Sequence, residues 1–194
     1  MYTASMPPSR LLTPLVPVLE TERLRLRGHG VGDFPVSAAM WADPHVTRYI
    51  SGRGFSEEES WGRLLRYIGH WSLLGFGYWL VEERATGRFV GEVGFANYRR
   101  DLTPPLDGAP EIGWVLTTGA HGQGYATEVV RAVVAWGDKH FGSIRTACII
   151  HPENTPSIRV AIKCGYREHG SATYKGEATL LFVRDPERGT DSVP

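Results

Sequence analysis

The chain lacks most of what specialised scaffolds require. Only two cysteines occur, Cys148 and Cys164. They are too few for a disulfide framework and lack metal-ligand spacing, which excludes a disulfide-stapled domain and leaves packing as their expected role. The seven histidines form no H-E-x-x-H or similar cluster, so no metal is expected. Charge of one sign is missing too: lysine plus arginine and aspartate plus glutamate each number 21. No global field then draws the chain to nucleic acid or to an anionic membrane, and any charged partner must be held locally. No apolar run approaches the roughly 20 residues of a membrane span. Near the start, Arg10 and a leucine-rich run broken by Pro14 and Pro17 make a poor secretory leader. The expectation is a cytoplasmic protein that binds neither nucleic acid nor membrane.

What is present suits one core. With 42% apolar residues in a length of 194, a single α/β domain is expected. It spans residues 18–185, after a proline-rich arm at 1–17 and before a polar tail at 186–194. Leu24 to Arg27 alternates as a strand, Asp33 is placed to cap a short helix through Met40, and Asp43-Pro44 restarts the chain. Ser56 and Glu59 form a capping box ahead of a helix to about Leu74, with Trp61, Leu64, Leu65, Ile68 and Trp71 on one face. Tyr78 to Glu83 and Arg88 to Phe95 read as a hairpin around Ala85-Thr86-Gly87. Residues 98–110, rich in proline, read as an exposed connection beside a site.

The stretch from Thr118 to Glu128 organises the rest. Before it, Ile112, Trp114 and Leu116 fall on one face of a strand from Glu111; after it, Val129, Val130, Val133, Val134 and Gly137 recur at helical spacing. Glycines between a strand and a helix let backbone approach an anion closely, and the helix start supplies unpaired amides and a positive dipole end. By themselves these features admit any phosphate ligand, a nucleotide included. A further strand follows at Arg145 to Ile150, then a helix from Thr155-Pro156 to about Cys164, with Thr155 read as its cap and Pro156 at its first position. Strands at Tyr166 to Ala172 and Ala178 to Arg184 close the sheet.

These motifs together carry a resemblance. The element order, the turn His121-Gly122-Gln123-Gly124-Tyr125-Ala126, and Asn154-Thr155-Pro156-Ser157 leading to Lys163-Cys164-Gly165-Tyr166 resemble the GNAT N-acetyltransferase superfamily. Leu19 to Arg27, with Gly124 to Glu128, is similar to the branch that acetylates ribosomal-protein N-termini. The resemblance implies a mixed, mostly antiparallel sheet of six to seven strands with helices on both faces and a splay between its central strands. It implies acetyl-coenzyme A as co-substrate, with pantetheine along Val115 and Leu116 and pyrophosphate on the amides of Gly122, Gln123, Gly124, Tyr125 and Ala126. The family pattern Q/R-x-x-G-x-G/A is met at Gly124 and Ala126, but His121 stands at its first position.

By the same resemblance, Asn154 contacts the pantetheine arm and Ser157 lies near the sulfur, one helical turn apart. Ala161 stands where many relatives carry a proton-donating tyrosine, which leaves Ser157 or water to protonate the leaving thiolate. An amine must lose its proton before attacking a thioester: about 4.6 kcal/mol at pH 7 for a lysine-like amine and about 1.4 kcal/mol for an α-amino group. Glu111 is the first candidate base and Glu92, between Gly91 and Gly94, the second. A backbone amide near Val115 is the expected oxyanion donor. Trp41, Trp61, Trp71 and Trp79 form either an aromatic acceptor wall or simply core. The implied activity is acetyl transfer to a primary amine, a protein N-terminus or a small amine, by a monomer or homodimer. The alternative is a non-catalytic acyl-coenzyme A binding or sensing module.

Overall fold

The computed structural model describes residues 16–106, 108–142 and 144–186. Most of the arm at 1–17 and of the tail at 186–194 lies outside the described residues. The chain forms β1 (Leu19–Glu20), β2 (Leu24–Arg27), α1 (Phe34–Ala42), α2 (Pro44–Thr47), α3 (Glu57–Leu74), β3 (Tyr78–Glu83) and β4 (Phe89–Ala96). Then follow β5 (Leu102–Thr103), β6 (Glu111–Leu116), α4 (Tyr125–Phe141), β7 (Thr146–Ile150), α5 (Thr155–Lys163), β8 (Arg167–Tyr174) and β9 (Glu177–Arg184). All the strands expected from alternation are present. The two-residue strands β1 and β5 lie at the two edges and bring the sheet to nine, in the order β1-β2-β3-β4-β6-β7-β9-β8-β5.

Every neighbouring pair is antiparallel except β6 and β7, which run parallel and share a single paired position, Glu111 with Ala147. By contrast β4 and β6 pair at six positions and β7 and β9 at five. Past their first residues β6 and β7 therefore part, and the sheet opens between them. This is the splay.

Register decides what each face carries. Tyr78, Gly94 and Gly113 share a row, as do Leu80, Glu92 and Val115, and α1 and α3 cover these rows. Val93, Phe95 and Ile112 point the other way, into a core with Val129, Val130 and Val133 of α4 and Ala161 of α5. Gly137 lets α4 approach the sheet closely, because a Cβ there would stand 2.7 Å from the Phe95 ring.

Three local readings are corrected and one, at Asp43, is filled in. Asp33 does not cap α1, since its carboxylate is engaged by both terminal nitrogens of Arg27 at 2.8 Å and by the Gly30 amide at 2.7 Å. The chain after Asp43 forms the short helix α2, which Asp43 caps by accepting from the His45 amide at 2.8 Å. The face α3 buries is Ser60, Leu64, Tyr67 and Trp71, whereas Trp61 and Leu65 are 37% and 50% exposed. The stacking of Tyr67 on Tyr78 turns the helix so that Tyr67, outside the expected stripe, is buried in place of Trp61 and Leu65. Finally, Asn154 rather than Thr155 caps α5, and Pro156 takes its second position.

The capping box at α3 is formed. The Glu59 amide donates to Ser56 Oγ at 3.2 Å and the Ser56 amide to Glu59 Oε2 at 2.8 Å. Ser56→Ala is expected to cost about 1 kcal/mol. Urea unfolding should show a lower midpoint with an unchanged slope, and Ser56→Gly should lose less.

Candidate active site

The splay leaves backbone groups without strand partners. The Thr117 amide donates to the Val90 carbonyl at 2.9 Å, so along β6 the odd-numbered amides face β4. The even-numbered groups face β7. There, beyond the Glu111–Ala147 pair, the amides of Trp114 and Leu116 look into the gap. The backbone donor was expected near Val115; by this alternation the Val115 amide itself is turned to Glu92 on β4, and the amides facing the gap are those of its two neighbours. Residues 113–115 are half-buried in an otherwise buried strand, as an open gap requires.

At the open end of the gap both strands lead into the expected site. Beyond Leu116, a turn at Thr118–Ala120 precedes Gly122 and Gly124, at φ +76° and +80°. Both glycines occupy the left-handed region that other residues enter at a cost. No side chain caps α4, so its first amides, from Tyr125 onward, have no partner within the helix. Gln123 folds its side-chain amide onto the Gly119 carbonyl at 2.8 Å. Tyr125 is buried, donates its hydroxyl to Glu83 at 2.9 Å, and lies under the Arg23 guanidinium at 4.6 Å. His121 turns back, its Nε2 donating to the Leu116 carbonyl at 3.1 Å. The residue that departs from the family pattern thus ties the turn to the strand end.

Beyond Ile150, Asn154 Oδ1 accepts from the Ser157 amide at 3.2 Å, which leaves the Asn154 side-chain NH₂ to donate elsewhere. Ser157 is half-buried one turn into α5. Residues 115–116, 122–126, 154 and 157 therefore gather at one end of the gap.

Glu111 sits at the other, closed end, about 17 Å of strand from Leu116 at 3.4 Å per residue. It is 5% exposed, and both its oxygens accept from Arg100, at 2.6 and 2.7 Å. Arg100 also donates to the Tyr174 hydroxyl at 2.8 Å. This ion pair lines a cavity of about 330 Å³, with Tyr98, Leu102, Leu106 and Ala109 in its wall. Nothing local in the sequence pairs Arg100 with Glu111; the 98–110 connection folding back over β6 does.

Glu92 is wholly buried. Its carboxylate accepts from Ser37 Oγ at 2.6 Å and Trp41 Nε1 at 2.9 Å, and His29 Nε2 stands 3.5 Å away, too far for a well-formed hydrogen bond. Burial pushes this carboxyl up; the neighbouring His29 and the donors Ser37 and Trp41 outweigh it and hold the group below the ordinary carboxylate value. So engaged, Glu92 fastens α1 to the sheet.

Sequence reasoning missed the aromatic lining. Trp41, Trp71 and Trp79 are buried core and Trp61 is exposed, while the rings beside the gap are tyrosines. Tyr67 stacks on Tyr78 at 4.6 Å and 8°, and the Tyr78 phenol lies over Gly113, where any Cβ would collide with it. The legible signal was a glycine in each of two adjacent strands, a mark of close approach. Both cysteines are buried, and burial pushes their thiols up, away from reactivity. Among the described residues no group of three His, Cys, Asp or Glu is placed to hold a metal, and no helix is long and apolar enough to cross a membrane.

A sequence profile described as an acetyltransferase (GNAT) domain matches residues 23–167. The chain is 29% identical over 153 residues to the uncharacterized N-acetyltransferase p20 of Bacillus licheniformis, covering 78% of this chain and 83% of that one. A Bordetella pertussis protein assigned to the GnaT-family acetyltransferases superposes with a TM-score of 0.77 at 30% identity, over 87% of this chain and 99% of that one. RimL, a ribosomal L7/L12 alpha-N-protein acetyltransferase solved in complex with coenzyme A, gives a TM-score of 0.72 over 88% and 98% of the two chains. Its identity is 16%, so that likeness concerns the fold alone.

The anchoring role of Glu92 has a pH signature. A carboxyl with a lowered folded value stabilises the fold above its unfolded value, near 4.3, and loses that contribution as pH falls through the folded value. Glu92→Gln should cost roughly 1–3 kcal/mol at pH 7 by leaving a buried donor unmatched. The gap in urea midpoint between variant and wild type should narrow below about pH 4. A gap independent of pH would contradict the role.

Proposed function

The chain belongs to the GNAT acetyltransferase family, and from that premise we propose that it moves an acetyl group from acetyl-coenzyme A to a primary amine. The acceptor is a protein N-terminus or a small amine, and transfer is by direct attack within a ternary complex. The observation that carries this reading is the gap between β6 and β7, with its unpartnered amides and an uncapped, glycine-lined helix start at its open end. A strand-to-strand opening with donors on one wall suits an extended amide-bearing chain. The turn at 122–126 suits a diphosphate.

The bound co-substrate supplies an activated thioester carbonyl. Within the gap the amides of Trp114 and Leu116 hold the extended arm, and one of them faces the oxygen that gains negative charge on attack. The Asn154 side-chain NH₂ donates to the same arm, and the amides of Gly122, Gln123, Gly124, Tyr125 and Ala126 receive the diphosphate. Ser157, or a water beside it, returns the proton to the departing sulfur.

Glu111, at the closed end of the gap, is the proton acceptor for the incoming amine through a chain of waters rather than by direct contact. Both its oxygens accept from Arg100, so the path from the amine has to displace one of those donors. This favours acceptors whose ammonium releases its proton readily. The deprotonation cost of an α-amino group, about 1.4 kcal/mol at pH 7, is one such a base can meet; the roughly 4.6 kcal/mol of a lysine-like amine is harder. The protein acts in the cytoplasm as a monomer or homodimer.

A second reading, an acyl-coenzyme A binding module without turnover, draws on Ala161 in place of a tyrosine and on the occupied Glu111 carboxylate. Thiol release from acetyl-coenzyme A in the presence of an amine panel separates the two. Amine-dependent release supports transfer, and binding without release on any amine supports the module. Gly124→Val should weaken coenzyme A binding at least tenfold while the protein still unfolds cooperatively, because φ near +80° costs a β-branched residue roughly 1–2 kcal/mol and the added methyls fill the approach. Glu111→Gln should lower the rate and shift its pH dependence toward the pKa of the amine; an unchanged profile removes Glu111 from the mechanism.

A further inference from the structure

Three buried side-chain atoms among the described residues have no hydrogen-bond partner: Arg63 Nε, Tyr67 Oη and His29 Nε2. They belong to one cluster. Arg63 and Tyr67 are neighbours one turn apart on α3, and the His29 ring lies 5.1 Å from that of Tyr67. The Arg63 guanidinium carbon lies over the Trp41 ring, 3.8 Å from its centroid, and 4.9 Å from that of Phe55. No ion pair among the described residues includes it. Cation–π contact offsets part of the cost of burying the guanidinium, but leaves its Nε unmatched.

The carboxylates nearby are already committed. Glu92 accepts from Ser37 and Trp41, beside His29, and Glu111 is closed by Arg100. Arg66 and Arg100 flank Tyr98, adding positive charge on the same side. Burial pushes the Tyr67 phenol up, so it stays protonated as a donor. The cluster connects to the gap through Tyr67 stacked on Tyr78, whose phenol covers Gly113. What is unmatched beside the gap is thus the Arg63 Nε and the Tyr67 hydroxyl.

We propose that the acceptor amine carries a carboxylate, and that Arg63 and Tyr67 bind it on the α3 side of the sheet. This rests on the reading of the chain as an amine acetyltransferase and narrows it. A guanidinium fork matches a carboxylate in two parallel hydrogen bonds, and a buried phenol completes its coordination. A polycationic acceptor would require open carboxylates, and both of those beside the gap are occupied.

The test compares each acid with its own carboxamide. β-Alanine and glutamyl-alanine amide are assayed beside their carboxamide forms, with spermidine as the polycation, by thiol release from acetyl-coenzyme A. At least one acid is expected to exceed its amide tenfold or more in kcat/KM. Arg63→Gln should bring that ratio near one through KM, and Arg63→Lys should restore part of it. Equal rates for acid and amide, preference for spermidine, or a ratio unchanged in R63Q overturns the proposal. A second arm needs no turnover: the coenzyme A complex is titrated with N-acetyl-β-alanine and N-acetyl-glutamyl-alanine amide and their carboxamides, followed by tryptophan fluorescence. Carboxylate-selective binding that R63Q abolishes supports the site, and equal binding of acid and amide, as a cluster hydrated by water alone would give, overturns it. Selective binding with no thiol release from any amine counts against acetyl transfer and leaves the carboxylate site standing.

Discussion

The structure depends on one interrupted ladder. Parallel strands β6 and β7 meet at Glu111 and Ala147 and then separate, in a sheet whose other ladders are antiparallel. A backbone amide turned into such a gap must find water or a ligand, because an unpaired buried amide forfeits about the worth of a hydrogen bond. The gap therefore creates its own demand for an extended polar guest. It also sets the chain direction, so that both strand ends deliver their following turns, 118–124 and 151–154, to the same opening.

Other contacts hold that opening in shape. Thr118 donates to Asp43 at 2.7 Å on one lip, and Tyr49 packs against His151 at 5.3 Å on the other. The segment around α2 thus spans the two strand ends. Behind the glycine turn, Glu128 in the first turn of α4 accepts from Thr21 at 2.6 Å, from the Arg23 amide at 3.0 Å and from Arg23 Nε at 2.8 Å. Arg23 reaches on to the Gln123 carbonyl at 3.0 Å. An acidic residue so close to the proposed diphosphate site would repel that ligand if left free, and Arg23 offsets the charge while fixing the turn. The motif around Arg23 and the motif ending in Glu128 are two halves of one joint.

Much of this was legible in local sequence, where a single element carries its own signal. The Ser56–Glu59 capping box, the valine stripe of α4 and the glycine turn before it need only spacing to be read. What escaped depends on distant partners. Asp33 has the chemistry of a cap, yet Arg27 claims it. The buried stripe of α3 is decided by Tyr78 on another strand, and the commitment of Glu111 by Arg100 across a loop. Asn154 and Ser157 were placed from the family pattern, and their position at the open end follows from the parallel register of β6 and β7. The tryptophans drew attention as a possible wall, whereas register puts Tyr78 beside the gap, because only glycine at 113 leaves room for its phenol.

Amide hydrogen exchange, read residue by residue with and without coenzyme A, tests the gap most directly. In the free protein the Val115 amide should already be protected by β4, while those of Trp114 and Leu116 exchange faster. Coenzyme A should slow Trp114 and Leu116 together with Gly122 to Ala126, and leave Val115 unchanged. Protection confined to the glycine turn, or equal protection of all three β6 amides before coenzyme A is added, would contradict an open splay as the donor site.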